Sequence, residues 1–578
     1  MPRAQIRVRA ACPCAAMFED TSFRAEHLGV ITHGSLNDGI EMKLDPGESV
    51  ENVVAGTFVV IQGEQHDFFC MITDVEIEAA NEQILLNPPG PSDDLLREVM
   101  QGSGTYVTVQ LKPMLMMPNA DHPELTDEEP NSVKTIPAHF SPVAQAEADD
   151  VARVFGDETW DGGDTYFHVG HPIGMEESPV CVDLSKFAER SNAIFGKTGT
   201  GKTFLTRLLL AGTIVTGRAV NLVFDMHSEY GYGSQAEGED GQAQFVKGLR
   251  DLFPSKVSLF SLDPATTRSR GHTPDRDVHL HADQIEPTDI LPLRDTLNLN
   301  ATAAESSYLL KNQYGDQWLT TLLEAQSADD FERLADETGA HKNSIEALRR
   351  KLAPFQEYDF FTTQPSPDDY DVLDALLENL GAGKSVVLEF GQYDDLRVYL
   401  LVANALTRRI RRAYEQKTNR YRQTQNEADK PQPLMITIEE AHKFLSPDIA
   451  HETPFGKIAR EMRKFFVSLL VVDQRPSAID EEVLSQIGTK MVAKLSDDKD
   501  IGAALVGTSD ASSLREILAS LDAKQQALLL GHAVPMPIVV KTRTYDQDFY
   551  EALRTHPATM GNADGEADPD EEMNDLFY

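Results

Sequence analysis

Two periodicities divide the chain. Over residues 18–117 apolar and polar positions alternate in short runs rich in Val, Ile, Thr and Phe. "GVITHGSLNDGIEMKL", "GTFVVIQGEQHDFFCMITDVEI" and "GTYVTVQLKPM" are the clearest. Within the last, Thr105 to Leu111 is close to strict alternation, the signature of strands with one buried face. Turn signals break the runs at Asn37-Asp38-Gly39 and at Pro88-Pro89-Gly90-Pro91. The pattern predicts a small β-barrel over 18–117. Residues 118–165 open with "PNADHPELTDEEPNS", Pro- and acid-rich, and read as a linker.

From about residue 166 the pattern changes. Continuous apolar runs alternate with helical spacing, which predicts buried strands in a mainly parallel sheet. The strand candidates are Ala193–Phe195, Val220–Asp225, Val257–Leu262, Ser385–Phe390, Leu434–Ile438, Val467–Val472 and Lys490–Leu495. Between 296 and 384 the strands stop. There Leu319/Leu322/Leu323 and Ile345/Leu348/Leu352 keep helical spacing, which predicts a helical insertion dividing an α/β core into 166–295 and 385–556. Residues 1–17 read as a disordered arm or a mis-set start ahead of Met17. Residues 557–578 read as a disordered acidic tail; from Gly561 on they carry seven acids and no Lys or Arg.

Composition adds one odd number. The 578 residues hold 93 Asp+Glu against 52 Lys+Arg, a net charge of −41. The acids could sit in tails or cover the whole surface. They are spread along the chain, so a surface suited to high salt, as in a halophile, is the preferred reading. In molar salt the screening length falls to about 3 Å, and repulsion between such a surface and another polyanion is screened. Cys12, Cys14, Cys70 and Cys181 form neither zinc spacing nor a disulfide framework, which fits a reducing cytoplasm. No apolar run approaches the roughly 20 residues of a membrane-spanning helix, so no membrane association is expected.

The chemistry begins at "SNAIFGKTGTGKTFLTRLLLAG", which contains Gly-Lys-Thr twice. A phosphate-binding loop needs a glycine five residues before the last glycine of the motif, G-x-x-x-x-G-K-[ST]. Gly201 has Gly196 at that distance, whereas Gly196 has Ser191. Lys202 is therefore the phosphate lysine and Lys197 a loop residue. The loop Gly196, Gly199, Thr200, Gly201, followed by Lys202 and Thr203, lies between a short apolar strand and a helical run. Successive backbone N–H groups can there converge on one anion.

A second signal is "PLMITIEEAHKFL". Its apolar strand delivers Glu439 and Glu440 to a C-terminal end, where ligands of parallel sheets bind. One carboxylate can hold Mg²⁺ and the other can act as base on an attacking water. "LVFDMHSEYG" places Asp225 at the end of the strand that follows the P-loop helix. "AREMRKFFVSLLVVDQRPSAID" ends a strand in Asp473-Gln474-Arg475, with Arg460, Arg463 and Lys464 at i, i+3, i+4 upstream. Gln474 suits a γ-phosphate sensor. The basic triplet is either a solvated face or an arginine finger.

In this order, "FGKTGTGKTFLTR", "VFDMHSEYG", "ITIEEAHKFL" and "ARE-x-RKF…QRPS" resemble the HerA-like branch of the HerA/FtsK superfamily. The resemblance spans roughly 18–555. It implies a RecA-like P-loop ATPase core with a mainly parallel sheet, an N-terminal barrel and a helical insertion. It also implies a homo-hexameric ring that uses ATP and Mg²⁺ to move double-stranded DNA, and a NurA-type nuclease partner in DNA end processing and repair. Carried over by position, Lys202 and Thr203 serve phosphate and Mg²⁺, Glu439 is the Walker B carboxylate and Glu440 the catalytic base. Asp225 is a further active-site acid, Gln474 the sensor, Arg463 the finger, and Arg190 a second arginine near the nucleotide. Met462 stands where the family has glycine, and Ser191 where histidine is commoner. Two other functions share such a core: a ring ATPase that scaffolds a nuclease or defence effector, and a conjugation-type secretion ATPase.

Overall fold

The computed structural model describes residues 27–36, 39–80, 90, 93, 105–119, 130–158, 165–237, 243–364, 371–451, 453–508, 511–522 and 524–556. The arm 1–17, the tail 557–578 and the turn residues Asn37, Asp38, Pro88, Pro89 and Pro91 lie outside them. The chain divides into two compact units, 1–146 and 147–578.

In the first unit, alternation produces strands with one apolar face, and the sheet closes on itself to bury it. The strands are β1 (His27–Ser35), β2 (Gly39–Leu44), β3 (Phe58–Gln62), β4 (His66–Ala79), β5 (Thr105–Pro118) and β6 (Pro142–Gln145). They form a closed barrel in the order β1-β2-β5-β4-β3-β6, with β6 pairing β3 on one side and β1 on the other. Met42, Val59, Ile61, Cys70, Val109 and Val143 fill it. Register shifts in the β4–β5 ladder, at Phe69/Cys70 and Ile72/Asp74, supply the bend that a small barrel needs.

This corrects the proposed boundary. The barrel does not end at 117, because β6 lies inside the segment read as linker. Four residues opened by a proline are too short to show alternation, yet closure requires them. The same segment also contains the helix Ala148–Phe155, which belongs to the second unit.

The second unit is built on one mixed sheet. Its strands are β7 (Tyr166–Pro172), β8 (Val180–Asp183), β9 (Asn192–Phe195), β10 (Val220–Asp225), β13 (Val257–Ser261), β14 (Arg276–Asp277), β17 (Ser385–Glu389), β18 (Leu434–Glu439), β19 (Val467–Asp473), β20 (Thr489–Ala493), β21 (Gln526–Gly531) and β22 (Ile538–Thr542). Two small pairs complete the set: β11 (Ser234–Glu237) with β12 (Ala243–Val246), and β15 (Leu280–His281) with β16 (Phe361–Thr362).

The order is β14-β13-β17-β10-β18-β19-β9-β20-β21-β22-β7-β8. Pairing is parallel from β14 to β20 and antiparallel from β20 to β8. The "mainly parallel" expectation thus holds for the centre, and one flank is antiparallel. All residues of β9, β10, β13, β17, β18 and β19 are buried, as continuous apolar runs require when helices cover both faces.

The insertion is helical at its heart. Ala301–Tyr314, Trp318–Glu324, Ala328–Thr338 and Lys342–Leu352 pack together through Trp318, Leu319, Leu322, Leu334, Ile345 and Leu348, all buried. It does not run to 384. Helix Val372–Gly381 packs against β17 and β10, and Ser258 of β13 donates to Asn379 at 3.0 Å. That helix is the crossover leading into β17.

Candidate active site

The P-loop joins β9 to the helix Lys202–Thr216. Gly199 and Gly201 have φ of +82° and +93°, a left-handed backbone that side chains resist, so glycine is what lets the loop fold under the helix end. The loop is braced from within. Thr200 Oγ1 donates to the Lys197 carbonyl at 2.7 Å, and Lys202 Nζ donates to the same oxygen at 3.1 Å. Burial lowers the Lys202 pKa, opposed by the negative charges of Glu440, Asp473, Glu439 and Glu229. An ammonium half removed from water and facing four carboxylates is set for an anion that brings its own charge. Lys197 is exposed and contributes its backbone alone to these bonds.

Across the loop stands a row of carboxylates. Parallel register puts Glu389 beside Asp225, and Phe224 beside Ile438, so Glu389, Asp225 and Glu439 end three adjacent strands. All three are buried. Asp225 accepts the backbone N–H groups of Glu229 and Tyr230 at 2.9 and 2.8 Å. Burial still raises its pKa. Glu439 takes the Tyr230 hydroxyl on Oε1 at 2.6 Å, while its Oε2 is buried with no partner among the described residues. Burial, then the Asp225 charge, lifts Glu439 to about 8. The same two causes lift Glu389 to about 7, although Thr267 Oγ1 donates to it at 2.9 Å.

Glu440 leaves the strand with φ +46°, unusual for a residue with a side chain, which turns the chain sharply at the sheet edge. Its carboxylate lies 3.4 Å from Gln474 Nε2 and 3.6 Å from His442 Nδ1. Gln474 Oε1 receives the Thr198 hydroxyl at 2.6 Å, so the amide ties the P-loop to Glu440. Asp473, fully buried, holds the turn by accepting the backbone N–H groups of His442 and Arg475, both at 2.7 Å.

The structure therefore brings together Gly196, Gly199, Thr200, Gly201, Lys202, Thr203, Asp225, Glu439, Glu440 and Gln474. It leaves two arginines apart. Arg463 is exposed, and Arg190, which ends the helix Leu184–Glu189, has a buried Nε without a partner among the described residues. Neither makes a hydrogen bond or ion pair with the P-loop or carboxylates among the described residues. Nor do Arg460, Arg463 and Lys464 share one helix face. The helix Pro454–Glu461 stops at buried Met462, a 3₁₀ turn follows, and Phe466 at φ +62° redirects the chain into β19. Arg460 instead reaches Glu482 at 3.7 Å.

Sequence reasoning passed over Glu229, Tyr230, Glu389, Asp473 and Arg207 as site residues. Thr203 Oγ1 donates to Glu229 Oε2 at 3.1 Å, and buried Arg207 donates to the Glu229 carbonyl. Glu389 ends a buried parallel strand just as Asp225 does, so the same position at the strand end marks it. Glu229 and Tyr230 stand in the quoted "HSEYG" but in a turn, where spacing reveals no direction.

Residues 167–410 match the family described as "Helicase HerA, central domain". The chain is 26% identical over 421 residues to the DNA double-strand break repair helicase HerA of Sulfolobus acidocaldarius, covering 71% of this chain and 74% of that one. It is 26% identical over 420 residues to the protein of that name from Saccharolobus solfataricus, covering 70% and 73%. Among solved structures, VirB4 of Thermoanaerobacter pseudethanolicus aligns at 14% identity over 67% of this chain and 97% of that chain, with a TM-score of 0.42. The chain is an ATPase whose core is similar to that of these HerA proteins. Among the described residues no helix is long and apolar enough to cross a membrane.

Proposed function

We propose that this ATPase is the subunit of a homo-hexameric ring that moves double-stranded DNA, with a NurA-type nuclease as partner in processing DNA ends for repair. The observation carrying it is the P-loop lysine facing carboxylates from neighbouring parallel strands, in a chain that matches the HerA central domain.

In this reading the loop N–H groups and Lys202 hold the β- and γ-phosphates of ATP. The residues also fit a magnesium ion. Glu439 Oε2 is a buried acceptor without a partner among the described residues, and Thr203, by donating its proton to Glu229, keeps its oxygen lone pairs for a cation. When bound, the ion supplies charge neutralisation on the phosphate oxygens. Glu440 orients the attacking water and accepts its proton at a carboxylate oxygen. Gln474, bonded to both Thr198 and Glu440, reports on the γ-phosphate. Arg463 lies exposed and free of the site in its own subunit, as a finger reaching a neighbour's nucleotide would.

Turnover measured with and without duplex DNA in molar KCl tests the motor reading; a rate indifferent to duplex speaks against it. Arg463→Ala tests the ring. It should be inactive alone and regain partial turnover when mixed with Lys202→Ala subunits, because some interfaces then join a sound pocket to a sound finger. No recovery in mixed rings confirmed by mass would mean that Arg463 acts within its own subunit.

A further inference from the structure

A cavity of about 690 Å³ opens between the segment Pro287–Leu293, the long helix Leu396–Thr424 and the helix Pro454–Glu461. None of its lining residues belongs to the P-loop or the carboxylate row. Its size is that of a small-molecule site.

Its charge runs against the rest of the chain. Acids outnumber bases 93 to 52 overall, but here five cations meet two acids. Both acids are already committed. Asp289 takes Arg408 through both carboxylate oxygens at 2.8 Å, and Glu415 takes Arg411 at 2.8 Å. Arg294 lies 3.3 Å from the largely exposed Asp295. Arg412 and Lys457 are exposed and have no anionic partner among the described residues. The surplus on this wall is cationic, and a phosphate group would satisfy it.

A second feature specifies more than charge. Asn404, on the same wall, is 3% exposed. Its Nδ2 donates to the Asp289 carbonyl at 2.9 Å, while its Oδ1 is buried and has no partner among the described residues. A carbonyl oxygen can only accept, so what completes it must bring an N–H or O–H. Tyr308, 38% exposed, adds a partly open aromatic ring.

We propose that this cavity binds a nucleoside phosphate, separately from the P-loop. The phosphate meets Arg412, Lys457 and Arg294, a sugar hydroxyl or base N–H donates to Asn404 Oδ1, and the base lies against Tyr308. Inorganic phosphate would leave most of the volume and the aromatic wall unused. The ligand comes either as a free nucleotide or as the terminal nucleotide of a nucleic-acid strand.

Equilibrium dialysis of the full chain tests this, with the P-loop filled by one equivalent per chain of a non-hydrolysable ATP analogue, which leaves none to compete at the cavity. The probes are AMP, GMP, a 5′-phosphorylated tetranucleotide and inorganic phosphate. One further nucleotide should bind per chain, and binding at this site should persist in Lys202→Ala, which separates the result from the P-loop reading. The double variant Arg412→Ala/Lys457→Ala, both on the surface, should weaken it roughly tenfold or more. Asn404→Leu should weaken nucleotides more than inorganic phosphate. Tighter binding of the mononucleotides identifies a free nucleotide, and tighter binding of the tetranucleotide a strand end. Binding of no probe beyond the P-loop, equal affinity for inorganic phosphate and nucleotide, or indifference to the double variant would each overturn the assignment.

Discussion

Two regions of the second unit are rich in charge and treat it in opposite ways. The helix Leu396–Thr424 carries the densest basic run of the chain, "TRRIRRAYEQKTNRYR", and spends most of it internally. Arg408 pairs with Asp289, Arg409 with Asp371 and Asp374, Arg411 with Glu415, and Arg420 with Asp429. Arg422 donates to the Lys464 carbonyl. The ends of β17, β10 and β18 do the reverse. Glu389, Asp225 and Glu439 are buried side by side without an ion-pair partner among the described residues, and their pKa values rise. Bringing like charges out of water is costly unless something arrives to offset it. Charge that serves structure is paired within the fold. Charge left unpaired at a sheet edge, opposite a lysine, marks the place an outside ligand completes.

The largest effect that would break this contrast concerns the lysine. Lys202→Ala should abolish ATP turnover, a loss of roughly 100-fold or more, while Lys197→Ala, which keeps its backbone bonds, should stay within about twofold of the parent. Equal rates in a steady-state ATPase assay would mean that the wrong lysine has been chosen. Next, Glu440→Gln should slow hydrolysis by about 100-fold, the lower range for loss of a general base, with ATP binding retained. Rapid turnover in this variant would transfer the base to Glu439 or Asp225.

The third prediction sharpens the contrast without any ligand. Glu389 titrates near 7 when folded, above its ordinary value of 4.5. A raised carboxyl pKa means that the folded state binds more protons, so this group's contribution to stability is greatest below pH 4.5 and is lost as pH rises to 7. Glu389→Gln, which cannot ionise, should therefore gain stability relative to the parent across that window. The gain should level off above pH 7 at up to about 3 kcal/mol. Denaturant melts at pH 5 and pH 8 read it, and a difference that shrinks with pH would refute the burial argument. The smallest effect belongs to the basic helix. Arg420→Ala removes the largely exposed arginine of its pair with Asp429 and should cost at most about 1 kcal/mol and no ATPase activity. A large loss of turnover would show that this run does more than hold the helix.

Much of this was readable in one dimension. Local periodicity is a property of neighbouring residues, so the barrel strands, the buried strands of the core and the helical insertion follow from it. The P-loop follows from a fixed glycine spacing. Asp225 and Glu439 follow because a buried parallel strand delivers its last residue to the ligand edge. Other features depend on residues distant in sequence. β6 is a strand because β1 and β3 need closure, and four residues cannot signal that alone. Met462, buried at a helix end, separates Arg460 from Arg463, although their spacing suggests a shared face. Whether an arginine on a long helix is free or paired rests on acids up to 119 positions away, as with Arg408 and Asp289. Sequence by itself determined most barrel strands, the buried parallel strands of the core, the helical insertion and the loop that carries the phosphate motif, because these rest on short-range patterns. Tertiary structure decided which charges are paired and which are left waiting, because that balance is set by burial and by partners that only folding brings within hydrogen-bond reach.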